Sequence, residues 1–552
     1  MIKYVNIQAI LREKGRKYPE LGIFYDTGNV IKVLCWQPKG EIVFSEEEGF
    51  RCNSNDHIEK ATSFLLRGNE TKADIILSPE YSVPWSILQR ILEEQEPCPL
   101  NGKLWCLGLE GISCQELKKF LVANVEKNII CEDLDKLIQN QFYSCIAYIF
   151  RDGDQEITCI IQLKTTAAAD RWAELEAGGL AAGSTIYYFK AINAAHCLFT
   201  YICADALNQQ ISEVKREVGY QKCIILHPQL NPRPLHDSFS QMRKSFLDYS
   251  QRNIRIIAVN WAKDSYLIRE DGEAPLVIED SYSAYYCNQD SQNKYLEKLI
   301  NKNKYKGINL ARSGHIFVWH MPSNEHVMLF SIDCFDSRSL NLATAKHQEP
   351  IGMLYCVYNE KSRMWEEDSG CRLCTIDWDW LKKQFSLEKC SAGKCDILKL
   401  EKFFSILFVD QQNEEYSMTD GISRVIYEKG SQSHNIIKMR ERAGYVNQEL
   451  ERGNIPEKFS EFRNMNYRWT LQKEGNLQTK DESNLINVTY VDSSNESLIS
   501  YAISEFQILM GEAAKDRLLL YYFTNEGIKY YDKLFNVEIN NPNLTLEVDK
   551  IN

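Results

Sequence analysis

The sequence predicts an α/β fold over its first 335 or so residues, followed by a smaller α+β domain. Short runs rich in Ile, Val, Leu, Tyr and Phe recur along the first part, and several are separated by stretches of helical periodicity. The composition is that of a globular protein, 44% hydrophobic and 25% charged over 552 residues. Strands intermixed with helices in this way argue for layers built on sheets, not for a helical bundle.

In order, the predicted strands are Val30–Trp36, Ala73–Leu77, Leu104–Leu109, Ser144–Phe150, Thr158–Leu163, Thr185–Phe189, Cys197–Ile202, Lys222–Leu226, Arg255–Asn260, His315–His320 and Val327–Ile332. Each is short, apolar and bounded by polar or turn residues. The predicted helices are Asp56–Leu66, Ser113–Val125, Asp133–Gln139 and Ser238–Ser250. In the first of these, Ile58, Ala61, Phe64 and Leu65 fall on one face. After Phe335 the texture becomes polar, with turn residues through 336–370. The domains are therefore placed at 1–340 and 341–552. In the second, Ile437–Arg452 and Ser493–Gly511 read as helices, and Leu518–Phe523 and Gly527–Tyr531 as strands.

Charge and cysteine usage narrow the function classes. With 76 acidic and 64 basic residues, the net charge is -12, which weighs against a nucleic-acid polyanion as the main partner. No apolar run approaches the ~18 residues of a membrane span. Residues 1–20 carry Arg12, Lys14, Arg16 and Lys17 but no apolar core of signal-peptide type. The expectation is a cytoplasmic protein. Its eighteen cysteines are scattered, mostly inside apolar runs, and read as buried free thiols. Nine histidines show no metal-ligand spacing.

Three reactive side chains each follow an apolar strand: Glu80 in Ile-Ile-Leu-Ser-Pro-Glu80, Lys164 in Ile-Ile-Gln-Leu-Lys164 and Cys203 in Thr-Tyr-Ile-Cys203-Ala204-Asp205. Rigid strand ends are where layered α/β folds gather their sites. A thiol becomes a strong nucleophile once a base takes its proton or a cation lowers its pKa. Glu80 is the candidate base. Lys164 is the candidate stabiliser of the thiolate and of the developing oxyanion, with backbone N–H groups around Ala204. Taken singly, each residue has a plainer reading: a turn, a solvated charge, a small buried hydrophobe.

Together, and in this chain order, the three segments resemble the Glu-Lys-Cys triad of the nitrilase superfamily of carbon–nitrogen hydrolases. Ser78-Pro79-Glu80 is similar to that family's strand-Pro-Glu element, and Ile202-Cys203-Ala204-Asp205 to its nucleophile element. Ile257-Ala258-Val259-Asn260, the helix before it with Arg243 and Asn253, Ser313-Gly314-His315-Ile316 and Gly183–Phe189 are weaker echoes. The resemblance covers residues 30–335 and implies a four-layer αββα sandwich, with residues 111–140 and 285–310 as extra helical insertions. It implies hydrolysis of a non-peptide carbon–nitrogen bond, in an amide or nitrile-like small molecule, through a Cys203 thioester. It also implies a second glutamate between Lys and Cys that positions the substrate, for which Glu174 and Glu176 both qualify. Ala204 and Asp205 join it as positioning candidates. No cofactor is implied, and a homodimer or higher homo-oligomer is.

The chain departs from the family in two places. Gln162-Leu163-Lys164-Thr165 lacks basic or aromatic neighbours, and His315 replaces a small hydroxyl residue. A catalytically silent scaffold of the same fold, with a regulatory, binding or bacterial-defence role, is the rival reading. In the second domain Cys371-x-x-Cys374 with Cys390 and Cys395 has partial zinc-site spacing. The rival there is four unpaired thiols. A protein or nucleic-acid partner for that domain is left open.

Overall fold

The computed structural model describes residues 2–24, 31–133, 138–168, 173–190, 196–208, 222–232, 237–249, 254–269, 275–278, 283–288, 309–313, 316–332, 354–368, 434–464, 466–470, 475–491 and 516–531, with shorter pieces at 216, 234, 494–496, 499–500 and 502–503. The chain divides into two units, Met1–Leu310 with Gly314–Gly370, and Cys371–Asn552 with Ala311–Ser313.

The first unit is mixed α/β. One sheet has eight strands, in the order Lys3–Asn6, Thr185–Phe189, His196–Thr200, Lys222–Pro228, Ile254–Val259, Ala284–Asn288, Ile316–His320 and Asn309–Ser313. The three strands from His196 to Val259 run parallel, in the register Leu198↔Ile224 and Ile225↔Ile256. A second sheet has nine strands, in the order Met364–Glu367, Leu354–Asn359, His326–Ile332, Ile31–Gln37, Ile75–Leu77, Leu104–Ser113, Phe142–Arg151, Ile157–Leu163 and Asn128–Ile130. A small four-stranded sheet joins Leu276–Val277, Tyr266–Arg269, Glu41–Ser45 and Gly49–Cys52.

The near-continuous apolar runs are explained by burial on both faces of the strands. Along Ile31–Gln37, Val33 and Cys35 join an apolar core that also contains Ile224, Leu226 and Ile257 of the other large sheet. Their neighbours Leu34 and Trp36 turn the other way, onto Ala61, Phe64 and Leu65. Those three belong to the helix Asn55–Thr71. Leu104 and Cys106 alternate with Trp105 and Leu107 in the same sense. Successive side chains in a strand point to opposite faces, so a buried strand must be apolar at every position. On the eight-stranded sheet, Phe246 and Leu247 of the helix Asp237–Tyr249 are fully buried, and Arg243 lies over the Tyr286 ring at 4.8 Å.

Several elements differ from the sequence reading. Residues 285–310 are not a helical insertion where described: Ala284–Asn288 is an interior strand of the eight-stranded sheet. Its Tyr285 packs inward against Trp319 and Phe330, while Tyr286 faces Arg243 of the helix on the other side. The predicted helix Asp133–Gln139 is non-helical at both described ends, and 134–137 lie outside the described residues. In 111–140 a helix does form, Cys114–Ala123, begun by Ser113 accepting a hydrogen bond from Glu116 N, but Asn128–Ile130 is a strand. The helix Trp85–Leu92 and the strands of the small sheet were not foreseen. The segment 336–370, read as polar and turn-rich, contains the hairpin Leu354–Glu367. It extends the nine-stranded sheet and buries Trp365.

In the second unit, the helix His434–Glu451 accompanies a five-stranded sheet in the order Tyr467–Trp469, Leu477–Thr479, Leu485–Val491, Leu518–Thr524 and Gly527–Tyr530. The pair Leu485–Val491 and Leu518–Thr524 is parallel. Most of the predicted helix 493–511 lies outside the described residues. Among the described residues, no helix is long and apolar enough to cross a membrane.

Candidate active site

Glu80 follows the strand Ile75–Leu77, and its loop is laid down by the strand beside it. Gly108 N donates to Ser78 Oγ at 2.9 Å, and Gly108 O accepts from Ser82 N and Val83 N at 2.9 and 2.8 Å. A Cβ on Gly108 would stand 1.9 Å from the Pro79 carbonyl oxygen, so only glycine allows this approach. Tyr81 then turns through a left-handed φ of 60°. Lys164 follows the strand Ile157–Leu163, with its N–H on Ser144 O at 2.8 Å.

The tertiary fold brings these two ends together. Lys164 Nζ donates to Glu80 Oε1 at 2.8 Å and to both oxygens of Glu176 at 2.7 and 2.8 Å. Glu80, Lys164 and Glu176 are 1%, 1% and 3% exposed, so water screens none of these contacts. Of the two glutamates left open by the sequence, it is Glu176 that faces Lys164. It sits in the helix Ala173–Gly179 and also accepts from Tyr81 Oη at 2.9 Å and Ala168 N at 2.7 Å. Glu174 lies in the same helix, but its side chain is outside the described residues. Leu175 of that helix packs into an apolar cluster with Phe50, Tyr81, Phe142, Leu230 and Trp261, which holds the helix against the site.

Two carboxylates share one ammonium in a dry setting. Burial pushes Glu80 above its ordinary range, against the pull of Lys164, and the charge of Glu176 adds to the push. Burial disfavours the Lys164 charge, but Glu176 and Glu80 outweigh it and hold the ammonium well above its ordinary value. The Cys203 thiol is close enough to contribute in the same direction. A carboxyl that takes and returns a proton above the usual carboxylate range, beside a permanent cation, is suited to acid–base work.

Sequence reasoning missed several groups that complete the site. Ser144 Oγ donates to Glu80 Oε1 at 2.8 Å, Leu230 N approaches Glu80 Oε2 at 3.3 Å, and Trp261 Nε1 donates to the Glu80 carbonyl at 2.8 Å. The available signal was a lone serine among the apolar and aromatic residues 142–150. The spare surroundings of Lys164 also have a use. Gln162 donates to Thr200 O at 3.0 Å and accepts from Tyr148 Oη and Tyr187 N at 3.1 and 3.0 Å, joining the Lys164 strand to the Cys203 strand.

Cys203 opens a six-residue 3-10 helix, Cys203–Asn208, just past the strand His196–Thr200. It is 4% exposed and has a left-handed φ of 44°, a conformation that needs support in a non-glycine residue. Ala204 lies buried in the same turn. Asp205 commits both carboxylate oxygens to neighbouring loops. Oδ1 accepts from Thr165 N, Thr165 Oγ1 and Thr166 N at 2.8–2.9 Å, and Oδ2 from Ile202 N at 3.2 Å. It thereby ties the loop after Lys164 to the turn at Cys203. Burial pushes Asp205 up to about 7, against Lys164 and the Thr165 donors.

Cys371, Cys374, Cys390 and Cys395 lie outside the described residues. Among the described residues no group of three or more His, Cys, Asp or Glu could hold a metal ion, and none of the described cysteines forms a disulfide.

No family model matches the chain, and no curated protein matches it. Among solved structures it is similar to a glutamine-dependent NAD+ synthetase from Acinetobacter baumannii, at 16% identity, over 48% of this chain and 47% of that one, with a TM-score of 0.29. The chain thus spans about half the length of the structure it matches, and a superposition of that quality carries no weight for function.

Proposed function

We propose that the first unit is a hydrolase of non-peptide carbon–nitrogen bonds, built as the four-layer αββα sandwich of the nitrilase superfamily, with Cys203 as nucleophile, Glu80 as base and Lys164 as oxyanion stabiliser. One observation carries the reading: the buried Lys164 ammonium bridges Glu80 and Glu176. Two large sheets sharing one apolar core, with helices on their other faces, support the proposed sandwich.

In this reading Glu80 takes the Cys203 proton and the thiolate attacks the amide carbonyl carbon. The C=O electron pair moves onto oxygen, which Lys164 and backbone N–H groups near Ala204 stabilise. Collapse breaks the C–N bond, Glu80 returns its proton to the leaving amine, and a thioester remains. Glu80 then takes a proton from water, whose oxygen attacks the thioester carbon; the C–S bond breaks, Glu80 returns the proton to the departing Cys203 thiolate, and the acid is released. Splitting the reaction in two replaces one difficult step with two easier ones. Glu176 orients Lys164 and is placed to meet the substrate.

The test is alkylation with limiting iodoacetamide, the label being mapped among all eighteen cysteines. Selective labelling of Cys203, slowed in Glu80→Gln by a factor on the order of 100, supports an activated thiol, and turnover of a small-amide panel should then be lost in Cys203→Ala. If Cys203 labels no faster than the other thiols, the hydrolase reading fails and the silent-scaffold alternative replaces it.

A further inference from the structure

The strained backbone of Cys203 needs something to hold it, and the hydrogen bonds around it point to a residue outside the Glu-Lys-Cys set. His227, in the parallel strand Lys222–Pro228 beside the Cys203 strand, places Nε2 at 2.9 Å from the Cys203 carbonyl oxygen. That oxygen only accepts, so Nε2 must carry the proton. The Gln229 amide nitrogen lies 2.8 Å from His227 Nδ1. An amide nitrogen only donates, so Nδ1 must be the bare one. Both contacts demand the same tautomer. The Gln229 amide is itself oriented, since its Oε1 accepts from Asn231 Nδ2 at 3.0 Å.

The chain of bonds continues to the proposed base. Asn260 Oδ1 accepts from Asn231 N and from Trp261 N at 3.0 and 2.9 Å, and Asn260 Nδ2 donates to Asn231 O at 2.8 Å. Trp261 Nε1 ends the path on the Glu80 carbonyl. Every side chain along the way, from His227 through Gln229, Asn231 and Asn260 to Trp261, is at most 3% exposed. A fully paired buried network of this kind is rigid, because breaking any one bond strands a polar group away from water. Burial also pushes His227 down to about 3, so its ring stays neutral and keeps this tautomer at ordinary pH.

We propose that His227 is a positioning residue for the nucleophile: its Nε2–H, aimed by Gln229, holds the Cys203 carbonyl and with it the left-handed turn that presents the thiol to Glu80 and Lys164. The proposal rests on the hydrolase reading. It assigns to the polar chain from His227 to Trp261 the task of keeping nucleophile and base at a fixed separation.

The test compares His227→Met, which has no donor, with His227→Gln, which can donate an N–H from a similar reach, in the full chain. Iodoacetamide labelling of Cys203 is followed across pH, with Lys164→Met measured alongside. The expected result is a loss of Cys203 labelling rate of about tenfold to a hundredfold in His227→Met, with recovery of most of it in His227→Gln. If Lys164→Met slows labelling while both His227 variants label like wild type, the positioning role is overturned and the hydrolase reading stands. If wild-type Cys203 is not activated at all, both fall. Should His227→Met not fold, selective ¹⁵N-histidine spectra of the unmutated protein decide, with the His227 signal assigned by its loss in His227→Gln. A ring protonated at Nε2 that does not titrate near its ordinary value sustains the proposal, and one protonated at Nδ1 overturns it.

Discussion

Lys164 is an ammonium at 1% exposure with a carboxylate on either side. Burying three charges is expensive, and the cost is met only while each keeps its partners. Removing the cation would leave Glu80 and Glu176 facing each other with no compensating charge. Lys164→Met should therefore lower the unfolding free energy by about 3–5 kcal/mol, read from urea unfolding followed by fluorescence and by circular dichroism. A loss below about 1 kcal/mol, the range of an exposed pair, would mean that the three charges are solvated and the site more open than described. The same residue explains why the chemistry is hard to see in sequence: a lysine after a strand is ordinarily a solvated charge. Only Glu80 and Glu176, brought to it from other elements, make it otherwise.

At the scale of elements, the site depends on how closely one loop lies on one strand. The turn carrying Glu80 rests on Gly108 with no room for a side chain. Gly108→Ala would force the Pro79 carbonyl or the strand to shift, at a cost of about 1–3 kcal/mol for such overpacking. It should also carry Glu80 out of register with Lys164. The expected outcome is a lowered thermal midpoint together with Cys203 labelling slowed toward that of the other thiols. Full stability with unchanged labelling would show that the loop is not seated as described. Asp205 acts at the same scale, since one carboxylate joins the loop after Lys164 to the turn of Cys203. The nucleophile and the cation are therefore held by a common staple as well as by their own strands.

At the scale of the molecule, buried titratable groups couple folding to pH. His57 lies between Trp261 and Trp36, at centroid distances of 5.6 and 5.0 Å, with Nε2 2.6 Å from Ser82 O. Burial pushes it from 6.5 down to about 4. The unfolded chain then binds a proton that the folded one does not, so the contribution of His57 is fully present above 6.5 and is lost as pH falls toward 4. Glu80 and Asp205, raised by burial, act in the opposite sense, so a comparison of two proteins is needed to isolate His57. His57→Gln should be less stable than wild type near neutrality. The difference should shrink by up to about 1.4 kcal/mol per pH unit below the ordinary histidine value, measured by denaturant unfolding across that range. A gap that stays constant with pH would show that His57 takes up its proton equally in the folded and the unfolded chain.

What the sequence determined by itself was set by local pattern. Ile75–Leu77 is apolar throughout and Ile157–Leu163 at all positions but Thr158 and Gln162, so their identity as buried strands was legible. The order of Glu80, Lys164 and Cys203 at three strand ends was legible for the same reason. Ala284–Asn288 was misread as helical and the hairpin Leu354–Glu367 as polar, because each is stabilised by the strand it pairs with and carries little pattern of its own. Only the tertiary structure showed Glu176 to be a partner of Lys164, since the packing of its neighbour Leu175 sets how that helix faces the site. It alone brought in Ser144, His227 and Trp261, whose roles exist only through hydrogen bonds to residues far away in the chain. Local sequence can encode which residues are buried, but which buried polar groups meet is a property of the assembled sheets.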